Sequence, residues 1–144
     1  MAKAAGNLIL LVDDDTSARS VRQVVLEIHG HQVVAVGSAE HALHALQEQP
    51  VRLVILDYFL DGITGTELAR KMRGLKPQVP ILLLSGSTDV PDGIEYVDEY
   101  LSKLEPVAVI EEKIAELLLR PEPGRISPQS AVAWRGKAPK SGSY

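Results

Sequence analysis

Five side chains, each at the end of a short strand candidate, could meet in one crevice and do chemistry on an anion. Residues 53–56 form a Leu/Val/Ile run that delivers Asp57 to a turn punctuated by Gly62 and Gly65. Residues 8–12 end at Asp13 and Asp14, residues 80–84 end at Ser85, and residues 99–102 end at Lys103. Runs without polar alternation are buried on both faces, as in a parallel sheet covered by helices. At the carboxyl edge of such a sheet the loops line a crevice, and helix amino termini point into it. Three carboxylates gathered there repel one another and raise their own pKa values unless a cation neutralises them. Hard oxygen donors in a half-open site suit Mg2+, which keeps several waters and shares phosphate oxygens. A hydroxyl and an ammonium facing that cluster supply donors for a tetrahedral anion. The set suits phosphoryl transfer with a carboxylate as the nucleophile.

The elements that must position these groups are legible in order. Asp15 or Thr16 caps a helix in which Ala18, Val21, Val25 and Ile28 repeat with helical spacing until Gly30 offers a stop. A second strand covers 32–36. Ser38 then caps a helix whose apolar stripe is Ala39, Ala42, Leu43 and Leu46, running to about Gln49 before Pro50 closes it. After Asp57, the turn holding Asp61, Gly62 and Gly65 leads into a helix with Gly65, Leu68, Ala69 and Met72 on one face, ended by Gly74 and Pro77. In 87–97, Pro91 and Gly93 leave room for only a short or irregular helix. The last helix starts near Pro106 and buries Val107, Ile110, Ile114, Leu117 and Leu118. Strand and helix alternate five times, which predicts an α/β domain over 1–120: a doubly wound, five-stranded parallel sheet with helices on both faces. From Pro121 the chain turns Pro/Gly/Ser-rich and basic, with Ile126, Val132 and Trp134 as its sizeable apolar side chains, so 121–144 is expected to be a tail outside the core.

Composition excludes several classes. The chain has 144 residues, 45% hydrophobic and 24% charged, as expected of one soluble domain, and no apolar run long enough to cross a bilayer. Its amino-terminal apolar stretch is broken at Asp13, so no secretory signal is expected and the cytoplasm is the default. Zero cysteines exclude disulfides and thiolate chemistry. A net charge of −4 gives no electrostatic reason to bind nucleic acid.

Taken in order and spacing, Asp13-Asp14, Asp57, Ser85 and Lys103 resemble the site of the receiver domains of two-component response regulators, over Leu8 to about Leu119. The resemblance implies a flavodoxin-like sheet of order 2-1-3-4-5 with a shortened fourth helix. It implies that Asp57 is the phosphoacceptor for a sensor histidine kinase or phosphotransfer protein. By the same resemblance Asp13 and Asp14 are the acidic pair, and Asp14 and Asp57 hold Mg2+ with the backbone carbonyl of Phe59. Lys103 pairs with the acyl phosphate, while Ser85 and Tyr100 form the switch. The family's members signal by protein contact, which implies a downstream protein partner or a homodimer, with no membrane and no nucleic acid bound by this domain. They are phosphoacceptors and not enzymes in the usual sense, and this chain is expected to be a stand-alone regulator.

Several positions depart from that pattern. The chain reads Lys103-Leu104-Glu105-Pro106 where the family has proline directly after the lysine, so a trans peptide and a differently routed loop are expected. Leu60-Asp61 replaces the usual methionine-proline pair, and Phe59 is bulky where a smaller side chain is common. The stretch from Ser85 to Lys103 is about one helical turn short. These departures favour a second reading, a pseudo-receiver that acts unphosphorylated. A third reading is a haloacid dehalogenase-type phosphatase with Asp13 as nucleophile, whose further acidic pair would have to be Glu111-Glu112 in mid-helix. His41 and His44 lack a third ligand and are expected to be exposed helix residues, while His29 and His31 flank Gly30 in a turn. Arg125, Arg135, Lys137 and Lys140 around Trp134 are expected to be a solubilising tail.

Overall fold

The computed structural model describes residues 8–87 and 89–120. The sheet strands are β1 (Leu8–Val12), β2 (Gln32–Val36), β3 (Leu53–Asp57), β4 (Ile81–Ser85) and β5 (Glu99–Ser102). The α-helices are α1 (Thr16–Ile28), α2 (Ala39–Glu48), α3 (Gly65–Leu75) and α4 (Val107–Leu119). The strands pair in parallel in the order β2-β1-β3-β4-β5, so the doubly wound sheet expected from the sequence is present. Every residue of β3 and β4 is buried, which is why neither run alternates.

Alternate strand residues feed two cores. On one face Leu10, Val54, Leu56 and Leu83 pack against Ala42 and Leu46 of α2 and Leu68, Ala69 and Met72 of α3. On the other, Ile9, Leu11, Ile55 and Leu82 pack against Leu26 of α1 and Ile110, Ile114 and Leu117 of α4. Ser38 caps α2 by accepting from the His41 amide, and Thr64 and Glu67 form a reciprocal capping box on α3.

The short or irregular helix expected in 87–97 is a 3-10 turn at Ile94–Tyr96, so the described residues hold four α-helices. The turn after Asp57 is a small antiparallel hairpin, Phe59–Leu60 against Ile63–Thr64, closed by Asp61 and by Gly62 at φ +81°. That φ is in the left-handed region, where glycine carries no Cβ penalty. The apolar repeat of α1 is only partly covered: Ala18 and Val25 are half-buried, Val21 and Ile28 are 64% and 75% exposed, and Leu26, outside the repeat, is the buried residue. Arg19 turns to the inner side and donates to the Asp13 carbonyl, and Arg22 lies half-buried within the field of Asp13 and Asp57. Val107, also expected to be buried, is 43% exposed in the first turn of α4. The tail at 121–144 lies outside the described residues.

Candidate functional site

Register brings the acids together. Val12 pairs with Leu56 and Asp57 pairs with Leu84, so Asp13 leaves β1 beside the end of β3, with Ser85 one residue beyond on β4. Asp13, Asp14 and Asp57 each offer an oxygen within 4.8 Å of the others. Asp13 and Asp57 are buried and Asp14 is exposed, so the cluster has one open side. Lys103 reaches across from the end of β5, its Nζ 3.3 Å from Asp57 Oδ2 and 3.5 Å from Asp13 Oδ2.

Local structure holds each acid in place. Asp13 Oδ1 accepts the Asp15 amide at 3.0 Å, and Arg19 donates to the Asp13 carbonyl at 2.7 Å. Asp15 then caps α1 by accepting from the Ala18 amide. At Asp57 the chain enters the hairpin and returns to begin α3 at Gly65, whose amide donates to the Tyr58 carbonyl at 2.6 Å. A Cβ on Gly65 would collide with the Asp57 carbonyl oxygen and come within 2.9 Å of Leu83, so only glycine lets α3 start this close to β3.

Burial pushes the Asp57 carboxyl above its ordinary value of 3.8; Lys103 pulls it down, Asp13 pushes it further up, and a hydrogen bond from the Phe59 amide lowers it. The net upward shift is chiefly the cost of burying the charge, which Lys103 and the Phe59 amide only partly offset. Hard oxygens from three carboxylates, with one side open, fit a Mg2+ ion.

Ser85 is fully buried, and its Oγ accepts the Ser87 amide at 3.1 Å. The Tyr100 hydroxyl donates to the carbonyls of Ser87 and Asp89, at 3.0 and 3.2 Å. Burial raises its pKa, against a lowering hydrogen bond with Ser85. The two expected switch residues thus meet through the loop that follows β4. The Phe59 ring is 61% exposed and stands edge-on to Tyr58 at 4.8 Å. The described residues contain no cis peptide, so Lys103-Leu104 is trans; the loop turns instead through Glu105 N–H to the Ser102 carbonyl.

The remaining candidates lie elsewhere. His41 and His44 are exposed on α2, as expected. His31 does more than serve a turn: its Nε2 is 2.9 Å from Glu111 Oε1, tying the start of β2 to α4. That pairing also places Glu111 away from the strand ends, where the phosphatase reading needs it. Sequence reasoning missed Arg22, half-buried beside the acids, whose charge Asp13 and Asp57 stabilise while burial opposes it. A positively charged residue inside an otherwise apolar helical pattern was the available signal.

Comparison with known proteins agrees with this geometry. A family model described as the response regulator receiver domain matches residues 9–114. The chain belongs to the response regulator receiver domains. This receiver domain is similar to the transcriptional regulatory protein AfsQ1 of Streptomyces coelicolor, 36% identical over 118 residues that cover 79% of this chain and 52% of AfsQ1. The receiver therefore spans about half the length of that relative, and less of others such as DctD of Rhizobium meliloti, of which it covers 21%. Among solved structures, it is similar to the response regulator TrrA of Thermotoga maritima in complex with Mg2+–BeF: TM-score 0.73, 30% identity, 78% of this chain and 99% of that one. TrrA in complex with the histidine kinase ThkA aligns with TM-score 0.72 at 29% identity, covering 79% and 99% of the two chains.

Proposed function

We propose that this receiver accepts a phosphoryl group on Asp57 from a histidine kinase or phosphotransfer protein, in a Mg2+-dependent reaction in the cytoplasm, and signals by protein contact. The single observation carrying this reading is the Lys103 ammonium, 3.3 Å from Asp57 inside a cluster of three carboxylates. Asp13, Asp14, Asp57 and the Phe59 carbonyl would hold the Mg2+, which neutralises phosphoryl oxygens when bound. Asp57, at the end of the central strand β3 with the Lys103 ammonium nearest to it at 3.3 Å, is the nucleophile. Lys103 then pairs with the transferred group, as a fixed charge aimed where negative charge accumulates.

A phosphoryl group adds roughly −1.5 to −2 charges. When the Ser85 hydroxyl turns to it, the Ser87 amide loses its acceptor, and the loop held by Tyr100 must rearrange. With a 3-10 turn in place of a full helix, that loop and β5 form the surface read by a downstream protein.

The outward apolar face of α1 supports the partner. Val21 and Val25 line an open groove of about 460 Å³ with Val107 and Ile110 of α4, and Lys103 forms part of the same wall. A helical partner seated there places its phosphohistidine beside Asp57. TrrA's structure with a histidine kinase supports this class of partner. Every ionisable group the chemistry needs is present, which favours phosphoacceptance over an unphosphorylated module.

The test is intact-protein mass after incubation with acetyl phosphate, with and without Mg2+. A Mg2+-dependent gain of one phosphoryl group, lost in Asp57→Asn, is expected. No gain in the wild type overturns the reading.

A further inference from the structure

Two arginines of α1 face inward, and they are used differently. Arg19 is occupied: it donates to the Asp13 carbonyl and fills the space over Gly37. Arg22 is half-buried and lines the α1–α4 groove together with Lys103. Its charge senses Asp13 and Asp57, yet among the described residues its guanidinium makes no hydrogen bond and no ion pair within 4.0 Å. A guanidinium partly removed from water, with five donors and no fixed partner, is poised for an anion that arrives later. An apolar side chain would suit the packing beside Leu26 better, so its presence there has an electrostatic use.

We propose that Arg22 is a second cation of the phosphoacceptor site, matching with Lys103 the negative charge that phosphorylation adds. The inference rests on the receiver reading above. It acts through its field, as a positioning residue, and not by coordinating the metal. Three carboxylates against Lys103 leave two negative charges in the resting site, and Arg22 reduces them to one. In the phosphorylated site Mg2+ contributes two positive charges, and the dianionic acyl phosphate replaces a single carboxylate charge. With Arg22 that state is close to neutral; without it, one negative charge is left over. Arg22 therefore has opposite effects in the two states. It weakens Mg2+ binding at rest and favours the phosphorylated product.

This opposition gives a test that loss of packing cannot imitate. The variants are Arg22→Leu, Arg22→Gln and Arg22→Lys, with acetyl phosphate as donor so that no partner surface enters. In that reaction a carboxylate oxygen of Asp57 forms the new bond to phosphorus, the bond from phosphorus to the acetate oxygen breaks, and acetate leaves with its electron pair. Mg2+ affinity of the unphosphorylated protein is read by calorimetry, and phosphorylation rate by intact mass. For Leu and Gln the Mg2+ dissociation constant should fall roughly three- to tenfold at low salt, and phosphorylation should slow by a similar factor. Both effects should shrink at high ionic strength, and Lys should restore both. Unchanged or weaker Mg2+ binding in Leu and Gln overturns the proposal, as does a wild type that binds no Mg2+. A wild type that binds Mg2+ but takes no phosphoryl group overturns the receiver reading instead, and the calorimetry still decides Arg22.

Discussion

Replacing Asp57 by Asn is expected to stabilise the metal-free protein. One oxygen of each site acid lies within 4.8 Å of the others. At an effective dielectric constant of about 20, a like-charged pair at that distance costs about 3.5 kcal/mol. Lys103 stands 3.3 Å from Asp57, and on the same scale that contact is worth about 5 kcal/mol. Deleting the Asp57 charge removes two repulsions and one attraction, a Coulomb gain of about 2 kcal/mol, and it also removes the cost of burying a carboxylate. Arg22 returns part of this, so the net expected gain is about 1–2 kcal/mol, or about 3–8 °C in Tm. The effect depends on pH. Burial lifts the folded-state pKa of Asp57 above 3.8, so the folded protein holds that proton more tightly than the unfolded chain does. Its contribution is fully present below 3.8 and is lost as pH rises through the raised value. The advantage of the Asn variant must therefore open across that window. Thermal unfolding in chelator from pH 3.5 to 8 measures it, and added Mg2+ should stabilise the wild type more than the variant. A variant less stable than wild type at pH 7 without metal would refute the reasoning.

Other perturbations follow from the same structure. Arg73 donates to Asp98 Oδ2 at 2.7 Å and to the carbonyls of Tyr96 and Val79, pinning the segment that replaces the missing helix. Arg73→Met leaves the buried Asp98 carboxylate with the Ile81 amide at 2.8 Å and Arg120 at 3.7 Å as its remaining partners, so a loss of about 3–5 kcal/mol in urea unfolding is expected, and less than 1 would contradict it. Phe59 is a bulky, exposed side chain two residues after Asp57, and Phe59→Asn should speed dephosphorylation roughly three- to tenfold by admitting water, about 0.7–1.4 kcal/mol off the barrier; equal rates would sink this. Val21→Asn, a neutral polar change on the exposed face of α1, should slow transfer from a kinase while leaving acetyl phosphate reactivity unchanged, and equal slowing of both would show that the groove is not a docking face.

Much of the fold was legible because the buried strands are uninterrupted apolar runs. The α3 face of Gly65, Leu68, Ala69 and Met72 is buried as its spacing predicts, and Ser38 caps α2. The site acids were legible for the same reason, since each follows a strand. The orientation of α1 is not legible from its apolar repeat, because Arg19 finds a carbonyl partner at the end of β1 and Arg22 is half-buried on the side of Asp13 and Asp57 without a hydrogen bond among the described residues. The hairpin after Asp57 has arms of two residues, too short for an alternating pattern, although Asp61-Gly62 is a turn signal. Long-range pairs such as Arg73 with Asp98 and His31 with Glu111 leave no periodic trace at all.

The most direct measurement is the position of the phosphoryl group. Borohydride reduces an acyl phosphate to an alcohol, so treatment of the phosphorylated protein followed by peptide mass spectrometry marks the residue that carried it. The account predicts the reduced side chain at residue 57 and nowhere else. Reduction at residue 13 would contradict it and support the phosphatase arrangement.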